Sequence, residues 1–306
     1  MTKKTKRALF YSAMAVFLLL SYIVILYAQG YKYSFSENKF LRTGAISLKV
    51  NTGAKVYLDS KLHGDTSFFN SAYSIDRLLP GTYKITVQKD GYSSWQKTAI
   101  VEEGFVIDFP RVMLLSEEGD KEQELFDEVD LLFKELKPIA TIKPTTTPTP
   151  ISKERKSSSS TTLSLTKSEK QNQEFPDITT PEFGQEPYIL DSAKGILYRN
   201  ANEQLEKVAS SVKGFRLSGN KNKLAWWNSN ELWIIWLNDQ NYQPSYKQGD
   251  KEVITSFQIP IQNGAWFRDE DHIILELDQR DSKGRPYSIY RVIEIDKRGG
   301  VNIIEI

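Results

Sequence analysis

Residues 78–92 read Leu-Leu-Pro-Gly-Thr-Tyr-Lys-Ile-Thr-Val-Gln-Lys-Asp-Gly-Tyr, a turn, a strand and a second turn in succession. Pro80 fixes φ and Gly81 accepts a positive φ cheaply, which is what a type II turn requires. Tyr83–Gln88 then has strand character, Lys89-Asp90-Gly91 turns the chain, and Tyr92–Val101 resumes. Upstream, Ala45–Val50 places Ile46, Leu48 and Val50 on one face, Asn51-Thr52-Gly53 turns, and Lys55–Leu58 sends Val56 and Leu58 inward. Asp59–Gly64 reads as a further turn, followed by a looser stretch with Phe68 and Phe69. Short alternating runs separated by turn residues predict an antiparallel β-domain with one wet face over residues 30–115.

In these residues the chain resembles the PEGA domain family. The resemblance lies in Thr43-Gly44 opening the first strand and in Gly53-Ala54-Lys55-Val56-Tyr57-Leu58-Asp59. It continues in Leu79-Pro80-Gly81-Thr82-Tyr83 before a strand, and in Asp90-Gly91-Tyr92 followed by Trp95. Gly53, Leu79, Pro80, Gly81, Tyr83, Gly91, Tyr92 and Trp95 are thus structural positions of the motif. Ser60 departs from the family pattern after Asp59, and Asp65-Thr66-Ser67 lacks the usual proline. The resemblance implies a small β-sandwich of exported or surface-attached proteins, engaged in contacts at the cell envelope rather than in catalysis. Tyr92 and Trp95 could stack on sugar rings, but a Gly-Tyr pair after a turn with a nearby Trp reads better as core or its lid. His63 has no second imidazole beside it and reads as a solvated loop residue, not a metal ligand.

The address of this domain is set further upstream. Ala8–Ala28 is an uncharged run behind Lys3, Lys4, Lys6 and Arg7, and at ~1.5 Å per residue it can cross a ~30 Å hydrocarbon core. It exceeds the 7–15 residues typical of a cleaved signal core, so a retained signal-anchor is expected. The basic tip, residues 1–7, then stays in the cytoplasm and all that follows residue 30 lies outside the cell membrane. Tyr11, Tyr22, Tyr27, Tyr31 and Tyr33 suit an interfacial aromatic belt.

Beyond the first β-domain the period changes. In residues 117–137, Leu125, Val129, Leu132 and Leu136 recur at helical spacing, flanked by Phe126 and Phe133. An acidic amphipathic helix is expected, its stripe available to dock on the second domain or to pair with another chain; it is too short to claim a coiled coil. Residues 138–187 are rich in Pro, Thr and Ser, a composition that cannot offset its ordering entropy, and read as a disordered linker.

Strand signals return in residues 188–306. Phe215–Trp227 with Glu231–Leu237, and Ile261–Leu277 with Ser288–Asp296, resemble the blade unit of TolB-like and WD40-like β-propellers. Two or three blades do not close a ring, so a partial propeller and a two-sheet sandwich both remain open. Ile293–Gly300 resembles a stretch found in bacterial membrane proteins that join a PEGA domain to a propeller. Trp226, Trp227, Trp233, Trp236 and Trp266 fall here, and neighbouring tryptophans of one strand point to opposite faces. They are candidate binding residues for glycan or peptide if exposed, and core residues otherwise. His272, at a strand start beside Asp269 and Asp271, has no second imidazole near it and reads as a turn residue with a shifted charge, not a metal ligand.

Composition narrows the chemistry. The chain of 306 residues has no cysteine, two histidines and a formal charge of +1, which excludes disulfides, thiolate nucleophiles and Cys-type zinc sites and gives no basic field for nucleic acid. No phosphate loop, dinucleotide fingerprint or hydrolase elbow is present. The fold class is therefore mainly β, comprising a transmembrane helix, a PEGA-like sandwich, an amphipathic helix, a linker and a blade-like antiparallel domain. No catalytic residue, metal or cofactor is expected. The function expected is membrane-anchored binding of an envelope protein or glycan, with a carboxylate-dependent glycan-active enzyme and a structural subunit assembled through residues 117–137 as the alternatives.

Overall fold

Apolar runs without charge form helix where nothing interrupts the backbone ladder, and α1 spans Lys3–Ala28 with no buried residue. A computed structural model describes residues 3–67, 71–141, 187–201 and 204–306. Gly30, at φ 84°, ends the helix, and β1 (Tyr31–Ser34) pairs at once with β2 (Lys39–Arg42) in an antiparallel hairpin. Thr43 closes its base, donating to the Gly30 carbonyl from both N (2.8 Å) and Oγ1 (2.7 Å).

The next strands are β3 (Gly44–Val50), β4 (Lys55–Leu58), β5 (Lys61–Asp65), β6 (Ala72–Leu78), β7 (Gly81–Gln88), β8 (Trp95–Val101) and β9 (Val106–Val112). They form a three-stranded sheet, β6-β3-β9, and a four-stranded sheet, β5-β4-β7-β8. Ile46, Leu48 and Val50 face Val56, Ile85, Val87 and Trp95 in a shared core, as the alternation predicts. Four local expectations are corrected. The β3–β9 pair is parallel, not antiparallel. Asp59–Gly64 is a tight hairpin instead of a long turn, because Asp59 (φ 48°) and Ser60 (φ 67°) both take positive φ and let β5 begin at Lys61. Gly81, at φ 159°, is extended and opens β7, so Leu79-Pro80 links the two sheets and is no type II turn. Of the loop expected over residues 68–76, residues 68–70 lie outside the described residues, and the rest is corrected: Ala72–Leu78 is strand β6, paired with β3 and sending Ile75 and Leu78 into the core.

Helix α2 (Asp120–Glu135) follows. Beyond it, β10 (Tyr188–Asp191), β11 (Ile196–Ala201) and β12 (Gln204–Ala209) form a three-stranded antiparallel sheet. The described residues divide into two compact units, Pro138–Lys213 and a larger one in which Met1–Lys137 joins Gly214–Ile306. In the smaller, the Leu190 N–H donates to the Ala140 carbonyl (2.9 Å), and Leu190 and Leu197 form its centre. Most of the expected linker, residues 142–186, lies outside the described residues.

The larger unit adds two four-stranded antiparallel meanders. One is β13 (Gly214–Leu217), β14 (Lys223–Trp227), β15 (Glu231–Trp236) and β16 (Lys251–Ser256); the other is β17 (Ile261–Trp266), β18 (His272–Arg280), β19 (Pro286–Glu294) and β20 (Ile303–Glu305). The β18 sequence His-Ile-Ile-Leu-Glu-Leu explains the layering. Ile273, Leu275 and Leu277 enter a core shared with Ala225, Trp227, Leu232 and Ile234, whereas Ile274 turns to the opposite face. On that face Ile274, Val292 and Phe267 receive Leu125 and Val129 of α2. A strand covered on both sides reads as a continuous apolar run, and α2 is the second cover. The helical stripe is thus docked on the second β-region of its own chain. A closed propeller is not seen among the described residues.

Candidate functional site

Strand β8 alternates buried and exposed positions, and one of its inward residues is Lys97, 0 % exposed. A buried ammonium needs a counter-charge and acceptors. Both come from residues 294–302. Lys97 Nζ lies 3.2 Å from Glu294 Oε2, donates to the Gly300 carbonyl at 2.6 Å, and donates to the Asp296 carbonyl. Glu294 Oε2 also accepts from Trp95 Nε1 (2.9 Å) and Asn302 Nδ2 (2.8 Å). Burial pushes the Glu294 carboxyl above its usual range, with Lys97 opposing. Asn302 Oδ1 accepts from the Gln96 N–H (3.1 Å), and the Gly299 carbonyl accepts from the Thr98 N–H (3.2 Å). Arg298 completes the seam on β9: its guanidinium pairs with Asp296 (2.6 Å), donates to the Asp108 carbonyl (2.7 Å) and lies 4.7 Å from the Phe109 ring centroid.

Beside this seam opens a cleft of about 310 Å³, walled by Phe109 and Arg111 of the sandwich and by Lys223, Trp236, Tyr246 and Asp271 of the meanders. Glu270, Glu294 and Asp296 also line it. Its volume is at the small end of sites for compact ligands. Lys223 Nζ is bound to Asp271 and donates to the Glu270 carbonyl (2.9 Å), and Arg111 lies 3.3 Å from Asp271. Glu270 accepts from the Asn220 N–H (2.7 Å). Each carboxylate of the lining therefore has a cation or donor already in place. Trp236 stacks on Tyr246, its buried indole N–H has no acceptor among the described residues, and burial next to Glu252 pushes the Tyr246 phenol well up. The Tyr242 hydroxyl donates to Asp108 Oδ2 (2.7 Å), which raises its own pKa.

The candidate residues from sequence separate here. Trp226, Trp227 and Trp236 are buried, while Trp233 and Trp266 are half-buried. Trp233 stacks on Trp226 at 5.2 Å and donates to Glu231, and Trp266 donates to the Arg216 carbonyl (3.2 Å). Only Trp236 of the five reaches the cleft. Trp95 is core, edge-on to Phe109 at 5.2 Å. Tyr92 is half-buried under Lys89, 4.0 Å from its ring centroid, and the hydrogen bond from Lys121 lowers its phenol pKa. Gly53 and Gly91 lie in loops, Leu79 and Pro80 link β6 to β7, and Gly81 and Tyr83 belong to β7, where Tyr83 packs on the sandwich core and its hydroxyl donates to the Leu79 carbonyl (2.9 Å). His63 is not in a loop but on β5, with Nδ1 2.8 Å from the Tyr73 hydroxyl. His272 stands at a strand start, as the sequence places it: it opens β18, but it is buried and sits 2.8 Å from Asp269 instead of belonging to the turn. Burial pushes the Asp269 carboxyl up, but His272, the Asp271 N–H and the Arg111 charge together hold it below its usual range. Among the described residues no group of three or more His, Asp or Glu side chains could hold a metal ion.

Sequence reasoning missed Lys97, Lys223 and Arg111. A usable signal for Lys97 was its place between Trp95 and Ala99 at inward positions of an alternating strand. Lys223 leads the apolar run Leu-Ala-Trp-Trp, a similar mark, whereas nothing local distinguishes Arg111.

With this geometry in place, comparison with known proteins shows that residues 46–110 match the family model of the PEGA domain. No curated protein matches the chain. The match covers the sandwich from β3 into β9 and bears on an extracellular, surface-associated binding role. Helix α1 is long and apolar enough to cross a membrane, which fits an anchor or a signal sequence.

Proposed function

We propose that this is a single-pass envelope protein, basic tip inside, whose β-regions lie outside the cytoplasm and bind a surface component, protein or glycan, without turning it over. The observation that carries the reading is the cleft between a PEGA-type strand and the two meanders. It combines a half-exposed guanidinium, Arg111, with aromatic walls from Trp236 and Tyr246. The N–H groups that Arg111 does not give to Asp271 suit the carbonyl, carboxylate or hydroxyl acceptors of a compact polar group.

A glycan-active enzyme is the second reading, favoured by the four carboxylates on the lining, Glu270, Asp271, Glu294 and Asp296. Their existing partners support binding over hydrolysis. Soluble peptidoglycan fragments and an envelope protein extract, offered to the full chain in detergent, test the two readings. Capture lost in Arg111→Ala, with no reducing ends released by the parent chain, supports binding. Reducing-end release abolished by Asp271→Asn supports catalysis and removes the binding reading.

A further inference from the structure

The hairpin β1–β2 has one face rich in aromatic residues that ends in an exposed tip. Register pairs Tyr31 with Arg42 and Tyr33 with Phe40, so these four side chains share one face. The tip adds Phe35, 87 % exposed, with its ring edge-on to Tyr33 at 5.1 Å; Phe40 meets Tyr33 at 5.2 Å. The opposite face carries the buried Ser34 and Leu41 together with the exposed Lys32 and Lys39. Tyr31, Tyr33 and Phe40 are half-buried, so the aromatic cluster opens to the outside at Phe35, with the exposed Arg42 on the same face.

Its position in the chain says what covers it. Only Gln29 and Gly30 separate the end of α1 from β1, and Thr43 holds the hairpin base to Gly30 by two hydrogen bonds. Two residues span at most ~7 Å, so a hairpin tied to the end of a spanning helix cannot leave the head-group layer by much. A second exposed ring lies at the same end. The Phe105 carbonyl accepts from the Ala45 N–H (3.0 Å), and Phe105 is 58 % exposed, next to Gly104, on which the Arg42 side chain rests.

We infer that the aromatic face of the hairpin, with Phe35 at its tip and Phe105 beside it, seats in the outer bilayer interface and fixes the tilt of the β-body on the membrane. Aromatic rings favour this layer, and Arg42, on the same face of the hairpin, suits anionic head groups. This rests on the reading of α1 as a retained span.

The test exploits a chain without cysteine. Single nitroxide labels are placed at Phe35→Cys, Phe105→Cys, Leu18→Cys within α1 and Ser282→Cys in the exposed β18–β19 turn. The full chain is reconstituted in vesicles of phosphatidylethanolamine and phosphatidylglycerol. Collision with oxygen is then compared with collision with a polar nickel chelate. The expected ratio at 35 and 105 is several-fold that at 282 and below that at 18. Labels at 35 and 105 matching 282 while 18 stays in lipid overturn the interfacial seat and leave the span intact. A water-exposed label at 18 overturns the span and the seat together.

Discussion

Lys97 is a cation at a core position of an alternating strand, and its three contacts, Glu294 and the carbonyls of Asp296 and Gly300, join residues nearly two hundred positions apart. Removing one partner of a buried pair strands the other charge. Lys97→Met is therefore expected to destabilise the chain by about 3–5 kcal/mol, read as a lower denaturant midpoint. The pH dependence follows from Glu294. Its folded pKa is raised by burial above the ordinary 4.5, so its contribution to stability is full below the unfolded pKa and is lost as pH rises through the folded one. Stability of the parent chain relative to Glu294→Gln should fall as pH rises from below the ordinary carboxylate range to above it; a relative gain on that rise would refute the assignment. At Gly299, φ is 66° and a Cβ would run into the Thr98 backbone. Gly299→Ala should cost about 1–3 kcal/mol by prising the seam from β8. None of these pairings could be read from local pattern, because periodicity reports a residue's face and not the partner brought to it from the far end of the chain. The resemblance over Ile293–Gly300 did mark the seam segment, without revealing what it touches.

At the level of elements, legibility tracked periodicity. Strands with clean alternation, β3, β7 and β8, and the helical stripe of α2 fall close to where the sequence puts them. What failed were the joints. Positive φ at Asp59 and Ser60 has no glycine to announce it, and the extended Gly81 imitates a turn by its Pro-Gly sequence. The docking of α2 was one of two open choices, and burial of Leu125 and Val129 against Phe267, Ile274 and Val292 decides it. Leu125→Ala should cost about 2–5 kcal/mol in chemical denaturation. Arg268→Ala, which breaks the half-exposed pair with Glu128, should cost under about 1 kcal/mol. Equal losses would mean that the helix is held by charge and not by its stripe.

For the whole molecule, composition and the apolar run made the architecture legible: mainly β, one long helix at the N-terminal end, and a sandwich of PEGA type. The cleft was not legible, since its walls come from β9, β14, the β17–β18 turn and the loop after β15, which only the folded chain brings together. Everything proposed about partners depends on those walls facing away from the cytoplasm. The direct test is protease added to intact cells carrying an epitope after Ile306, followed by carbonate extraction of their membranes. The account predicts digestion of the β-regions from outside, with a short N-terminal fragment kept in the carbonate-washed membrane. β-Regions protected until the cells are lysed, or an intact chain released by carbonate, would contradict it.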